Sequence, residues 1–159
     1  MDVIVYAMRY EKGQEHAAGR RLLAEMLRRE LNMEPMPEIS ASDGGKPFFP
    51  SRPDICFNIG HSHGAVVCAI HDQPIGVDIE KIRTAPKRLA AGRGDEEFFR
   101  WWTAGEAALK REGGSVMRLL RAFSADPLVR HLENLLPGWI VAVCPASEAP
   151  VRGVVIELE

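Results

Sequence analysis

The sequence has no long apolar run, and no stretch approaches the roughly 20 consecutive apolar residues that a membrane-spanning helix needs. The N-terminal segment, residues 1–10, also lacks the charged start and extended apolar centre of a secretory signal. Cysteine is scarce, and the 3 cysteines, Cys56, Cys68 and Cys144, lie inside apolar runs at no metal-binding spacing. These absences predict a cytoplasmic protein without a membrane partner, whose cysteines are reduced and buried.

An excess of positive charge is missing as well. The chain has 20 Lys and Arg against 22 Asp and Glu, a formal net charge of −2, whereas nucleic-acid-binding proteins usually carry a strong basic excess. We therefore expect no nucleic-acid partner. Basic residues do cluster locally, at Arg20 and Arg21, at Arg28 and Arg29, and within residues 81–93. The first two clusters are interpreted as solvated helix faces.

Hydrophobic periodicity predicts two long helices. Residues 14–32 carry a stripe of leucine and methionine at helical spacing, and residues 96–112 carry a second stripe that includes aromatic residues. Asp95 is predicted to be the N-cap of the second helix, and Gly113 and Gly114 to end it. Shorter elements are expected at residues 37–40 (extended), 86–91 (a helical turn) and 117–123 (an apolar piece).

Several short runs rich in β-branched and apolar residues predict strands. They lie at residues 3–8, 54–59, 65–70, 75–80, 139–144 and 154–158. Tight connections between residues 54 and 80 favour an antiparallel meander of three strands. The fold class is therefore α+β. We expect one domain over residues 1–159, divisible into halves 1–73 and 74–159, although no repeat is visible in the sequence.

An Asp-x-Glu pair carries the strongest chemical signal. Asp78 and Glu80 are flanked by Val77 and Ile79, and strand side chains alternate faces, so both carboxylates point to one side. Two carboxylates on one face suit a hard cation such as Mg²⁺, which prefers oxygen ligands and keeps sites open for water and phosphate. Glu106, on the second helix, is the best third ligand. An open carboxylate site of this kind is typical of phosphoryl transfer.

Three basic side chains are candidates for binding anions near these carboxylates. Lys46 lies in a loop between glycine and proline, His61 follows a predicted strand, and Lys110 lies one helical turn beyond Glu106. Each has a simpler alternative: a solvated loop lysine, a structural histidine, and a surface ion pair worth a few tenths of a kcal/mol. A zinc site formed by His61, His63 and His71 or a cysteine is less favoured, because no spacing matches a known ligand set.

Four motifs in order resemble those of the 4′-phosphopantetheinyl transferases, in particular the type that acts on carrier domains of peptide and polyketide synthases. They are Gly45-Lys46-Pro47, Phe57-Asn58-Ile59-Gly60-His61-Ser62, Gly76-Val77-Asp78-Ile79-Glu80 and Trp102-Thr103-Ala104-Gly105-Glu106-Ala107-Ala108-Leu109-Lys110. Each motif is weak alone, but four in order form a strong signal.

The resemblance implies a fold of two similar α/β halves, related by a pseudo-twofold axis, with antiparallel sheets and packed helices. It implies transfer of 4′-phosphopantetheine from coenzyme A to a serine of an acyl or peptidyl carrier protein, with release of 3′,5′-ADP. Asp78, Glu80 and Glu106 are expected to hold Mg²⁺, and Glu106, Lys110 and His61 to act in catalysis. Contacts to coenzyme A are expected from Lys46, His61, Ser62, Asp78 and Lys110.

The resemblance also implies a monomer, with the basic segment 81–93 facing an acidic carrier protein. Two positions depart from the family pattern: Gly105 replaces a lysine, and Gly60 replaces a serine. They motivate one alternative, a degenerate module that binds coenzyme A without transferring its arm. A second alternative is a metal-dependent enzyme that hydrolyses another small pyrophosphate.

Overall fold

The protein is described by a computed structural model that covers residues 1–113 and 126–158. Its larger sheet has four strands: β1 (Val3–Arg9), β4 (Cys56–Ser62), β5 (Ala65–His71) and β9 (Val151–Val155). Their order in the sheet is β4-β5-β1-β9. Strand β9 runs parallel to β1, whereas the other neighbours are antiparallel. The predicted strand at residues 154–158 is thus placed a few residues earlier.

Strands β1 and β5 are buried on both faces, which explains their nearly continuous apolar sequences. Alternate residues of β1 belong to different cores: Ile4 and Tyr6 pack with the first helix, α1 (Glu15–Leu31). Val3 and Val5 pack instead against a second sheet. The helix predicted at residues 14–32 is confirmed by α1. Its large buried apolar residues match the predicted stripe: Leu22, Leu23, Met26 and Leu27.

The second sheet has the order β6-β8-β7, formed by β6 (Ile75–Lys81), β7 (Arg130–His131) and β8 (Trp139–Pro145), all antiparallel. The predicted three-strand meander is therefore wrong at its third strand, because β6 leaves the sheet of β4 and β5 and pairs with β8. The apolar side chains of β6 pack between the two sheets. A tight turn before β6 is compatible with pairing to β5 or to a strand of another sheet. Pairing with the distant β8 is adopted because it buries the apolar side chains of β6 between the two sheets.

The second long helix, α3 (Asp95–Glu112), covers the outer face of β6 and β8. Its predicted end is confirmed, since Gly113 adopts a left-handed conformation with φ of 76°. The predicted N-cap is wrong: Gly94 occupies that position. Asp95 instead accepts a hydrogen bond on Oδ1 from the backbone N–H of Ala85, 2.9 Å away, and so fixes the chain that enters the helix.

Three short elements complete the description: β2 (Ser40–Ala41), β3 (Pro47–Phe48) and α2 (Lys87–Ala90). The predicted helical turn at 86–91 is confirmed by α2, whereas the apolar piece predicted at 117–123 lies outside the described residues. All three cysteines fall within the described ranges and are free thiols. Cys68 and Cys144 are buried as predicted, whereas the prediction is wrong for Cys56, which is partly exposed at the start of β4. In those ranges no helix combines the length and apolarity needed to cross a membrane.

Candidate active site

Asp78 and Glu80 point away from the core between the sheets, towards α3. The alternation predicted from the sequence is observed: Val77 and Ile79 are fully buried in that core. Asp78 is only 7% exposed, and the Glu80 side chain is 19% exposed. The strand therefore presents one deeply buried carboxylate and a second carboxylate nearer to solvent on the same face.

A close approach of helix to strand brings the other candidate residues to Asp78. A Cβ atom at Gly76 would lie 1.9 Å from the carbonyl oxygen of Ala107 and 2.5 Å from the backbone nitrogen of Arg111. Only glycine permits this contact. Glu106 is 4% exposed on the buried side of α3, and the Lys110 Nζ donates to Asp78 Oδ1 at 3.1 Å.

The electrostatics of Asp78 are unfavourable for a charged carboxylate. Burial raises the pKa of Asp78 to about 7, and the neighbouring carboxylates Glu80 and Glu106 act in the same direction, whereas Lys110 lowers it. Asp78 Oδ2 is buried and has no hydrogen-bond partner among the described residues. An oxygen of this kind, amid acidic side chains, fits the donor set that a hard divalent cation requires.

The side chain of Glu80 is held by two donors. Its Oε2 accepts from Ser62 Oγ at 3.0 Å and from Arg83 Nη1 at 2.8 Å. Among residues 1–113 and 126–158, no three His, Cys, Asp or Glu side chains lie close enough together to form a ready-made metal site. Arg83 was not predicted from the sequence, where it is one of several basic residues in the segment 81–93.

Ser62 is a structural connector in this arrangement. It is 6% exposed, and besides donating to Glu80 its Oγ accepts the backbone N–H of Lys81 at 3.1 Å. The Trp139 indole Nε1 donates to the Ser62 carbonyl oxygen at 2.9 Å. The serine thus joins β4 to both β6 and β8, while its predicted contact with coenzyme A stays a prediction.

Lys46 is not the solvated loop lysine of the simpler interpretation. Its Nζ donates to the carbonyl oxygens of Ile75 and Arg111, both at 2.9 Å. Burial lowers the pKa of the Lys46 ammonium. The side chain therefore joins the start of β6 to the end of α3, and the phosphate contact predicted for it remains a prediction.

His61 lies exposed on β4, on the wall of a groove of about 470 Å³ between that strand and α1. Tyr10, His16, Arg20 and His63 also line the groove. Arg20 is partly buried there, although the sequence suggested a solvated helix face. Histidine and arginine side chains around one groove suit an anionic ligand, although the Glu15 carboxylate lines it as well. Arg20 and His16 could not be assigned to the groove from the sequence, because their position depends on the packing of α1 against β4.

The fold and the site define an α+β protein in which a buried aspartate, a helix glutamate and a lysine meet between β6 and α3. The groove at His61 lies on the α1 side of β4 and shares none of these residues. No family model matches the chain. It is 29% identical over 172 residues to the 4′-phosphopantetheinyl transferase Sfp of Bacillus subtilis, covering 86% of this chain and 77% of that protein. It is 31% identical over 175 residues to the 4′-phosphopantetheinyl transferase ffp of Bacillus subtilis, with coverage of 86% and 77%.

A third relative, the 4′-phosphopantetheinyl transferase AcpT of Salmonella typhimurium, is 30% identical over 147 residues, covering 80% of this chain and 73% of the relative. The chain therefore belongs to the 4′-phosphopantetheinyl transferase family, as its four motifs indicated.

Proposed function

We propose that this chain transfers the 4′-phosphopantetheine arm of coenzyme A to a serine of an acyl or peptidyl carrier protein and releases 3′,5′-ADP. The observation that carries the proposal is the buried Asp78, placed beside Glu80, Glu106 and Lys110 by the packing of α3 on β6. Acidic groups that are buried together are stabilised in their charged forms by a bound cation, because burial otherwise disfavours those forms.

Asp78, Glu80 and Glu106 are proposed to hold Mg²⁺, which when bound neutralises charge on the pyrophosphate of coenzyme A. Glu106, directly or through a water, accepts the proton of the carrier serine hydroxyl. The serine oxygen then bonds to the phosphorus that bears the pantetheine arm, and the bond from that phosphorus to the ADP oxygen breaks. Lys110, whose Nζ already lies at Asp78, stabilises charge on the leaving phosphate.

The groove beside His61 is proposed to take the nucleotide end of coenzyme A. His61, with Arg20 and His16 on the same groove, supplies positive charge for phosphate. Lys46 and Ser62 are proposed to contribute from the adjoining loop and strand. In this proposal coenzyme A extends around the edge strand β4, from the groove on its α1 side to the buried aspartate on its β6 side.

The carrier protein is proposed to dock on the basic segment 81–93, in which Arg83 is already paired with Glu80. The protein is proposed to act as a cytoplasmic monomer. Two similar halves, 1–73 and 74–159, are part of the proposal. It is supported by one long helix on the outer face of each sheet, although β9 crosses from the second half to pair with β1.

Conservative substitutions at the carboxylates test the reaction. Asp78→Asn and Glu106→Gln each keep side-chain size but remove the charge, and each is expected to lower transfer at least ~100-fold while the circular dichroism spectrum is unchanged. Glu133→Gln is the matched control, because the Glu133 side chain is 61% exposed and pairs with Arg100 at the surface. Wild-type rates in both site variants would refute the assignment.

A module that binds coenzyme A without transferring its arm is the second candidate, motivated by Gly60 and Gly105. A Cβ at Gly60 would lie 3.1 Å from Lys110 Nζ, so glycine here makes room for the lysine. Coenzyme A binding without carrier modification, reversed by Gly105→Lys, would favour that candidate. Phosphate release from nucleotides in the absence of any carrier would favour a pyrophosphate hydrolase instead.

A further inference from the structure

In the described part of the chain, the outer edge of β6 lacks a neighbouring strand. Its inner edge pairs with β8 along the whole strand, but β4, which faces the other edge, belongs to the larger sheet, and these two strands form no ladder within the described ranges. Open strand edges leave backbone N–H and C=O groups without partners. The β6 edge is buried against β4, so these groups need partners from elsewhere.

Side chains supply partners for four of these backbone groups. Lys46 Nζ donates to the Ile75 oxygen at 2.9 Å, and Lys110 Nζ donates to the Val77 oxygen at 3.1 Å. Asn58 Oδ1 accepts from the Val77 N–H at 2.9 Å, and Ser62 Oγ accepts from the Lys81 N–H at 3.1 Å. Three of these side chains already belong to the proposed site. Asn58 is the fourth, and the proposed reaction gives it no role.

The spacing shows that the contacts are in register. Asn58 and Ser62 are four residues apart on one face of β4, and the groups they accept, the N–H of Val77 and of Lys81, are four residues apart on β6. Gly60 lies between them, and a Cβ there would lie 3.1 Å from Lys110 Nζ. The two acceptors therefore hold β6 on either side of the gap through which Lys110 reaches Asp78.

Asn58 and Lys110 both bind the backbone of Val77, and Lys110 also contacts the buried carboxylate directly. Val77 immediately precedes Asp78, and the Val77–Asn58 hydrogen bond is buried, with Asn58 only 7% exposed. Loss of the acceptor would leave the Val77 N–H unpaired away from water, and the strand would shift to recover a partner. Any such shift moves the peptide that carries the Asp78 side chain.

We propose that Asn58 is a positioning residue, which fixes the Asp78 carboxylate for its cation by holding the preceding peptide of β6 against β4. The inference rests on the proposed function, because it assigns Asn58 to the cation site of that reaction. Residues that orient metal ligands from behind typically change metal affinity or activity by about 10–100-fold when they are substituted.

Two substitutions at Asn58 distinguish the effect of losing the hydrogen-bond acceptor from the effect of changing the side-chain volume. Asn58→Leu keeps similar size without an acceptor, whereas Asn58→Asp keeps the accepting oxygen in either protonation state. Asn58→Leu is expected to lower Mg²⁺ affinity, measured by calorimetry on the chain alone, and kcat by about 10–100-fold, with the KM for coenzyme A unchanged. Asn58→Asp is expected to restore both to within about threefold of wild type.

Arg152→Ala is the control for general destabilisation, since Arg152 on β9 binds Glu30 of α1 and neither residue belongs to the proposed site. It is expected to lower the melting temperature without changing Mg²⁺ affinity. Wild-type Mg²⁺ affinity and kcat in Asn58→Leu, or an equal loss in Arg152→Ala, would overturn the role of Asn58.

Hydrogen exchange at the Val77 amide in the wild-type chain gives a readout that needs neither variant nor activity. The buried bond predicts protection comparable to that of the amides paired with β8, and rapid exchange at Val77 would contradict the inference even if Asn58→Leu does not fold. If the wild-type chain transfers nothing to a carrier, the proposed function fails. The Val77 exchange and the Mg²⁺ comparison then still decide whether Asn58 positions Asp78.

Discussion

Replacement of Gly76 by alanine tests whether close packing of α3 on β6 assembles the site. The added Cβ would lie 1.9 Å from the Ala107 carbonyl oxygen and 2.5 Å from the Arg111 nitrogen, both backbone atoms of α3. A carbon and an oxygen approach no closer than ~3.3 Å even in weak hydrogen bonds. The helix must therefore retreat from the strand by about 1.4 Å at this point, the difference between those two distances.

The retreat moves Glu106 and Lys110 away from Asp78, because both lie within one turn of the clash. Displacements of about 1 Å in a catalytic group typically cost ~100-fold in rate, and we expect a loss of that size in transfer. Overpacking also costs about 1–3 kcal/mol of stability, which lowers the melting temperature by roughly 2–12 °C for a chain of this length.

The assay combines thermal denaturation with the rate of carrier modification. Gly94→Ala is the control for the loss of a glycine, because Gly94 has a negative φ and no atom of the described residues lies within 4 Å of the position that its Cβ would take. Since Gly94 is the N-cap of α3, the variant is expected to cost about 1 kcal/mol or less and to keep the wild-type rate. A Gly76→Ala protein with the melting temperature and rate of the wild type would refute the claim that this contact places α3.

Two further predictions concern charged groups. Lys110→Met leaves the buried Asp78 without its ammonium partner, so the metal-free protein is expected to lose about 1–3 kcal/mol of stability in chemical denaturation, and added Mg²⁺ is expected to recover part of it; an unchanged denaturation midpoint would contradict the pairing. Glu30→Gln is expected to cost up to ~1 kcal/mol at pH 7, because Arg152, together with Tyr6, holds the pKa of Glu30 below its usual value. A carboxylate with a lowered folded-state pKa stabilises the fold above its unfolded pKa and loses that effect as pH falls through the folded pKa. The difference between wild type and variant should therefore vanish at acid pH, and a constant difference from pH 7 down to an acid pH of about 3 would argue against it.

The parts of the site that follow from local periodicity were predictable. Strand alternation placed Asp78 and Glu80 on one face. Helical spacing placed Glu106 only on the shoulder of the apolar face of α3, whereas the structure buries it. Pairing partners were not predictable in the same way. Strand β6 pairs with β8, which lies far along the chain, and a tight turn before β6 looks the same whether the next strand joins the first sheet or a second one.

The contacts that orient the site are tertiary, and local sequence gives them little signal. Lys46 in a glycine-rich loop looks solvated until α3 provides the carbonyl oxygen it binds. Arg83 is one of several basic residues until β6 ends beside it. For Asn58 the only sequence signal was a polar residue inside an apolar strand, where asparagine is disfavoured unless a buried partner compensates.

The central claim is a cation-dependent transfer at Asp78 and Glu106, and intact mass spectrometry of a carrier protein tests it most directly. An apo acyl carrier protein would be incubated with this chain, coenzyme A and Mg²⁺, with a chelator and the Asp78→Asn variant in parallel. We expect the carrier to gain the mass of one phosphopantetheine, and to gain nothing with the chelator or with the variant. No gain with several acyl and peptidyl carriers, while the chain still binds coenzyme A by calorimetry, would contradict the claim and identify a binding module without transferase activity.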